Sequence, residues 1–462
     1  MEAALREQFA RKMEWFEKFR REEASETQSE TVKPAQDRSV SEHERRERRL
    51  ARVARHFYGR IRSMHHKAVL SIAPLEARIA LTAHMVPILT QHKNRVIFLF
   101  TEDDSQASYW ARQLRKRCEL PSGAVRVFGE DGVSHVHGTR VVIYRHAQIE
   151  RRYGQHAARF KDLGRRITTV VEGCDLLEPA WIAMLLFECD QFIGFTPYPI
   201  DHPQATAGRM LTSLFQQRVG ATYTFADAER DGWLRSFDLH RHPIELTADE
   251  RELYETTNEE FLALHSRLQR EYPEISRTSD LWQCLRRLLV RVVDHEAARL
   301  FVLQEQREQL AQMASSKLDA ALDLVRGVES PARCLILDFE KLWTKLLVKD
   351  LSEAGLAVEV FGESADELDG TNVWRDFEKG NMDCLILQRT PPQDYVGARI
   401  NQVITMTPLT PLSSLAATVD WSLSHAVGGP IMSVDLLYTA NTPEQQAMAD
   451  IADGCFGLRF GL

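Results

Sequence analysis

The chain has 462 residues, 44% hydrophobic and 27% charged, with a net charge of −8; it is too long for one compact domain, and two or three of about 150 residues each are expected. No uninterrupted apolar run reaches the roughly 18 residues that a membrane helix needs, and the acidic balance excludes a simple basic coat for nucleic acid. The seven cysteines, Cys118, Cys174, Cys189, Cys284, Cys334, Cys384 and Cys455, include no C-x-x-C pair, which argues against both a disulfide framework and a zinc site.

Residues 1–22 carry Phe9, Met13, Phe16 and Phe19 at spacings of three and four on an otherwise charged segment, the pattern of an amphipathic helix with one docking face for a partner. The mixture of Arg6, Arg11, Lys12 and Arg20 with Glu2, Glu7, Glu14 and Glu17 fits neither a secretory signal nor a transit peptide, so an intracellular location is expected, cytoplasmic or, in a eukaryote, nuclear. From Glu23 to Glu42 the chain is rich in Ser, Thr, Glu and Gln and nearly devoid of large apolar residues. Burial there cannot offset the entropy of ordering, so the stretch is read as a linker.

Between Ser41 and Lys67 nine Lys/Arg stand against three Glu. Arg48, Arg49, Arg52 and Arg55 fall on a helical face opposite Leu50, Val53, Phe57 and Ile61, which suits a helix that packs through its apolar side and offers guanidinium groups to phosphate. From Lys67 onward short apolar runs alternate with helical patterns. The strands expected are Arg95–Phe100, Ala124–Phe128, Arg140–Tyr144, Ile167–Glu172 and Gln191–Phe195. A second set comprises Cys334–Asp338, Ala357–Phe361, Asp383–Gln388, Gln402–Met406 and Ile431–Tyr438. Alternation of this kind implies α/β lobes with parallel sheets covered on both faces. Two such lobes result, at 67–245 and 331–462, with a charged, helix-rich stretch at 246–330 between them and an N-terminal extension at 1–66.

The order of these segments resembles the two RecA-like domains of superfamily 2 helicases and translocases, especially the remodeller and excision-repair branches, over roughly Lys67 to Asp453. RVIFLFTEDDSQASYWARQL (95–114), GTRVVIYRH (138–146), FIGFTPYP (192–199) and HPIELTADERELY (242–254) match the first lobe and its exit. SSKLDAALD (315–323), RCLILD (333–338), VWRDFEKGNMDCLIL (373–387) and the closing strand with its T-x-E helix (431–450) match the second.

The residues that such a family needs for hydrolysis are replaced. A phosphate-binding loop requires glycines whose N–H groups wrap the phosphates, a Lys, and a Ser/Thr on Mg²⁺; the matching stretch reads Ala73-Pro74-Leu75-Glu76-Ala77-Arg78. Pro74 belongs to the lead-in. Glu76 is expected to bring negative charge where phosphates would sit, and Arg78 stands either in a plain strand-to-helix turn or as a residual phosphate ligand. In the acidic motif, VVEGCDLL, Glu172 takes the first position and Gly173 the second, so the side chain that activates water is missing, and Asp175 is displaced. Where the resemblance implies a helix with arginine fingers, the chain has Ala417, Val419, Asp420, Ser422 and Ser424.

The expected function is therefore a catalytically inactive helicase-like subunit, with no cofactor and no metal, that binds a DNA or RNA backbone without reading sequence, scaffolds other subunits of a nucleic-acid-processing complex, or both. The alternatives are an active but divergent nucleic-acid-dependent ATPase, a purely structural subunit, and an enzyme with two Rossmann-like lobes such as a glycosyltransferase, with its pocket near Gly362 to Ser364. The histidine pairs His65-His66 and His135-x-His137 read as polar loops, because no further ligands accompany them.

Overall fold

The structure, a computed structural model, describes residues 42–65, 67–91, 94–128, 138–198 and most of 211–457. Outside the description within that last span are 212–214, 216–218, 273–274, 276–280, 282–283, 286–287, 290–294, 328–332, 363–366, 390–399, 407–417, 421 and 424–430. The chain divides into two compact units, Met1–Arg48 and Arg49–Leu462. Of the first, only 42–48 is described, as the start of a helix, so the N-terminal segment with Phe9, Met13, Phe16 and Phe19, and His66, His135 and His137, lie outside the described residues.

The described elements run, in order, α1 (Glu42–Ser63), β1 (Lys67–Ile72), α2 (Leu75–Leu89), β2 (Arg95–Thr101), α3 (Asp104–Cys118), β3 (Val125–Val127), β4 (Val141–Arg145), α4 (Gly154–Asp162), β5 (Arg166–Glu172), α5 (Pro179–Glu188), β6 (Gln191–Thr196) and β7 (Val219–Tyr223). They continue through α6 (Phe225–Arg230), β8 (Phe237–Ile244), α7 (Ala248–Glu271), α8 (His295–Gln312) and α9 (Ser316–Arg326). The last group is β9 (Cys334–Leu337), α10 (Thr344–Glu353), β10 (Val358–Phe361), α11 (Glu367–Lys379), β11 (Cys384–Leu387), β12 (Gln402–Thr405), β13 (Met432–Thr439) and α12 (Pro443–Ile451).

The strands form a seven-stranded sheet, β3-β4-β2-β5-β6-β1-β7, and a six-stranded sheet, β10-β11-β9-β12-β13-β8. Every pairing is parallel. Their central strands are buried throughout, as in Val96-Ile97-Phe98-Leu99-Phe100 and Leu335-Ile336-Leu337, because helices cover both faces and leave no side for polar alternation. These are two RecA-like α/β lobes, as the sequence pattern implies. One strand sits differently from its expected place: β8, read as the exit of the first lobe, pairs with β13 at the edge of the second sheet.

The apolar face of α1 beyond Arg48 is buried, with Leu50, Val53, Ala54, Phe57, Tyr58 and Ile61 in the first-lobe core, and the Phe57 ring meets Tyr223 edge-on at 5.5 Å. In α7 the Thr247 hydroxyl and the Glu250 carboxylate cap each other's backbone N–H groups, the reciprocal arrangement that fixes a helix start. The α7–α8 pair has its own small core of Phe261, Leu264, Leu268, Leu300 and Leu303, with the Arg307 guanidinium 4.0 Å above the Phe261 ring. A larger cluster is continuous from α1 and the first sheet, through Tyr198, Tyr223 and Phe225, to Val419, Leu423, Val434 and Phe456 of the second lobe. The lobes thus share a hydrophobic core.

Candidate functional site

β1 stops at Ile72 and α2 starts at Leu75, so Ala73 and Pro74 alone make the turn at the carboxyl edge of the sheet, where α/β folds place ligands. Ala73 N–H donates to Tyr223 O at 2.8 Å, and Pro74 offers no side-chain cap. Two residues without glycine cannot encircle phosphates.

Successive residues of a helix point about 100° apart, and this separates the two charged residues of the first turn. Glu76 turns toward α3, accepting from the Tyr109 hydroxyl at 2.6 Å and pairing with Arg117. The expected carboxylate in the phosphate position is therefore not there: its charge is neutralised against α3. Arg78 turns the other way, ion-paired with Glu172 and donating to Ala73 O at 3.2 Å.

Glu172 ends β5, and Gly173 follows in the left-handed conformation, φ 61°. The chain then turns through Cys174 to bury Asp175, whose carboxylate accepts from the Tyr198 hydroxyl. On the neighbouring strand β6, Gly194 leaves room for this turn: a Cβ there would stand 2.6 Å from Cys174 Sγ. His146 Nε2 lies 2.8 Å from the backbone oxygen of Glu172.

Burial dominates the ionisation of all three groups. It pushes Glu172 up to about 7, opposed by Arg78 and reinforced by Asp175 and Glu102. It raises Asp175 to about 6 and lowers His146 to about 4. Glu172 Oε2, Asp175 Oδ1 and Arg78 Nε are buried without hydrogen-bond partners.

From the second lobe, residues 418–420, 422 and 423 reach this edge of the first. The Leu75 N–H, at the head of α2, donates to Asp420 Oδ2 at 2.9 Å. Val419 and Leu423 are wholly buried beside it, and the Ser422 hydroxyl turns back to Thr418 O at 2.9 Å. Ala417 and Ser424 lie outside the described residues. A second approach is made by the turn Ala452–Phe456: Cys455 Sγ donates to Pro197 O at 3.6 Å, and the Phe456 ring lies 5.4 Å from Phe225.

These residues do not fit a nucleotide with magnesium. The cation facing Glu172 is already Arg78, position 173 has no side chain, and a carboxylate occupies the head of α2. Among the described residues no group of three or more His, Cys, Asp or Glu is placed to hold a metal ion.

The basic helix separates into two kinds of arginine. Arg48, Arg49, Arg52 and Arg55 are all exposed, and of these Arg49 donates to Gly232 O and ties α1 to the crossing between the lobes. Away from these groups, a cavity of about 580 Å³ lies at the amino-terminal edge of the second sheet, lined by His240, His242, Asp323, Gln402, Ser433 and Asp435 among others. Asp435 accepts there from Gln402, Ser433 and His242, each at 2.8 Å.

The residues that sequence reasoning missed are Tyr198, His146, Tyr109 and Arg117. Tyr109, His146 and Tyr198 lie within the matched segments but at positions with no assigned role, Arg117 lies outside them, and each is joined to the site by the packing of separate elements. Asp420 stood out only as the wrong residue for a finger.

Two RecA-like lobes meeting over this edge define the chain as a two-lobed α/β protein. Among solved structures it is similar to the helicase domain of Pyrococcus furiosus Hef, with 10% identity and a TM-score of 0.49 over 86% of this chain and 97% of that one. It is also similar to S. cerevisiae Dbp5 bound to RNA and ADP BeF3, with 8% identity and a TM-score of 0.45 over 84% and 83%. A DEAD box protein from the hyperthermophile Methanococcus jannaschii gives 11% identity and a TM-score of 0.45 over 87% and 89%. These likenesses are of fold alone. No family model and no curated protein matches the sequence.

Proposed function

We propose that the chain is a catalytically inactive helicase-like subunit that holds a nucleic-acid backbone without reading its sequence, scaffolds other subunits of a nucleic-acid-processing complex, or both. The observation that carries this reading is the Arg78–Glu172 pair. A guanidinium occupies the place of the metal on the one surviving acid, and the neighbouring Gly173 supplies no group to activate water. Contact with a backbone is supported by Arg48, Arg52 and Arg55, which face solvent from a helix whose other face is buried. Docking on partner subunits is assigned to Phe9, Met13, Phe16 and Phe19.

Calorimetry with ATP and Mg²⁺, and an ATPase assay with and without DNA or RNA, test the reading. Binding weaker than millimolar and no turnover are expected. A micromolar dissociation constant that disappears in Arg78→Ala, or hydrolysis stimulated by nucleic acid, identifies the divergent ATPase instead.

A further inference from the structure

We infer that Asp420 is a built-in ligand at the head of α2, standing where a phosphate would, and that it holds the two lobes closed without nucleotide. The first N–H groups of a helix have no acceptor within the helix and attract anions, helped by the aligned peptide dipoles. In α2 the need is acute, because Pro74 supplies no side-chain cap and the helix is buried along most of its length. The nearest acid of its own first turn, Glu76, is engaged by Tyr109 and Arg117. The acceptor therefore comes from 345 residues away, as Asp420 Oδ2 at 2.9 Å from Leu75 N, and Asp420 is only 2% exposed.

The surroundings are those of a permanent contact. Val419 and Leu423, on either side of Asp420 in the sequence, belong to one apolar cluster with Ala73, Leu75 and Ala77 of the first lobe. A buried carboxylate facing N–H donors inside an apolar seal is strengthened by the low local dielectric. Gly457 marks how closely the second approach is fitted: its φ is +73°, and a Cβ there would lie 2.4 Å from Thr224 Oγ1. In a motor, the second lobe sends positive charge toward a bound phosphate; here it sends negative charge, and the bond forms directly between the lobes. Closure, which a nucleotide would otherwise have to drive, is a property of the chain itself.

This inference rests on the inactive reading only in dispensing with nucleotide. It is tested by hydrogen exchange on the full chain, comparing wild type, Asp420→Asn and Asp420→Ala, each with and without ATP and Mg²⁺. Peptides covering the head of α2 and residues 452–457 should be protected in wild type and indifferent to ATP. In Asp420→Ala both should exchange faster together, by about tenfold or more, while β2 and β9 keep their protection and so report an intact fold. Asp420→Asn, which retains a carbonyl acceptor, should remain near wild type. Unchanged protection of 452–457 in Asp420→Ala, with ATP inert, overturns the latch and leaves the inactive reading standing. Protection that appears in wild type only when ATP is added overturns both.

Discussion

Lys317 Nζ lies 2.8 and 2.6 Å from the two carboxylate oxygens of Glu444, with neither side chain exposed at all. Lys317 comes from the SSKL segment that begins α9, and Glu444 from the T-P-E segment that begins α12, so two short motifs far apart in the sequence are partners. Glu444 also accepts from Thr439 N–H at 2.7 Å, which joins the end of β13 to both helices. Burial pushes the Glu444 carboxyl up and the Lys317 ammonium down, each opposed by the partner's charge.

Removing one member strands the other. Lys317→Met should destabilise the second lobe by about 3–5 kcal/mol in urea denaturation near neutral pH, the usual cost of an uncompensated buried charge. The deficit should shrink as pH falls, because a protonated Glu444 needs no counter-ion. A loss below about 1 kcal/mol, or one independent of pH, would show that the pair contributes little.

Asp175 gives a pH dependence of definite sign. Its carboxyl ordinarily titrates at 3.8 and is raised to about 6 in the fold. Below the lower value it is neutral in both folded and unfolded chains. Between the two, the folded chain keeps a proton that the unfolded chain has released, so its contribution to stability falls as pH rises and is fully lost above the upper value. Asp175→Asn does not titrate and still accepts from Tyr198. Its stability relative to wild type should therefore climb by about 1.4 kcal/mol per pH unit across that window. A flat difference between pH 4 and 7 would contradict the assignment of burial as the cause.

The arginines of α1 should divide by function. Replacing Arg48, Arg52 and Arg55 with Ser should weaken binding to a mixed-sequence oligonucleotide and flatten the plot of log affinity against log salt by about 2–3, as three phosphate contacts are lost. Arg49→Ser should leave that slope unchanged and lower the melting temperature, since Arg49 holds Gly232 O. Fluorescence anisotropy at four salt concentrations separates the two. Equal slopes in wild type and the triple variant would remove α1 from the interface.

Deletion of residues 1–22 should leave the melting temperature of the remaining chain nearly unchanged and abolish recovery of partner subunits in a pull-down from the native host. Unfolding of the truncated chain, with partners still recovered, would make Phe9, Met13, Phe16 and Phe19 part of the chain's own core.

The expected strands and the observed ones agree closely in their limits, because each is a short apolar run bounded by polar turns, and all but the edge strands β3 and β10 are buried on both faces; Arg95–Phe100 against Arg95–Thr101 is representative. The buried face of α1 was equally legible, being a local pattern. β8 was not among the expected strands, and its end, from His242, was read as the exit of the first lobe and not as part of the second sheet. Its sequence, FDLHRHPI, is buried only at Phe237 and Ile244, with Leu239 and His242 partly buried, so edge placement left no apolar signature to choose a sheet. Of the site, the residues at each expected motif position could be read from the sequence. Their partners could not, because Arg78–Glu172 and Leu75–Asp420 depend on which elements meet in space. Glu76 misled through nearness in sequence, since two steps along a helix turn a side chain to nearly the opposite side.

The crossing between the lobes, residues 224–236, is fastened along its length. Trp233 Nε1 donates to the Tyr223 hydroxyl at 2.9 Å, that hydroxyl donates to Asp231 at 2.7 Å, and Arg235 donates to Ile400 O at 2.6 Å. Immediately after it, β8 is zipped to β13 over its whole length. A strut pinned at both ends carries torque from one lobe to the other with little elastic give. Mechanically the crossing is a splint: a displacement of one lobe passes to the other and is not taken up by bending between them.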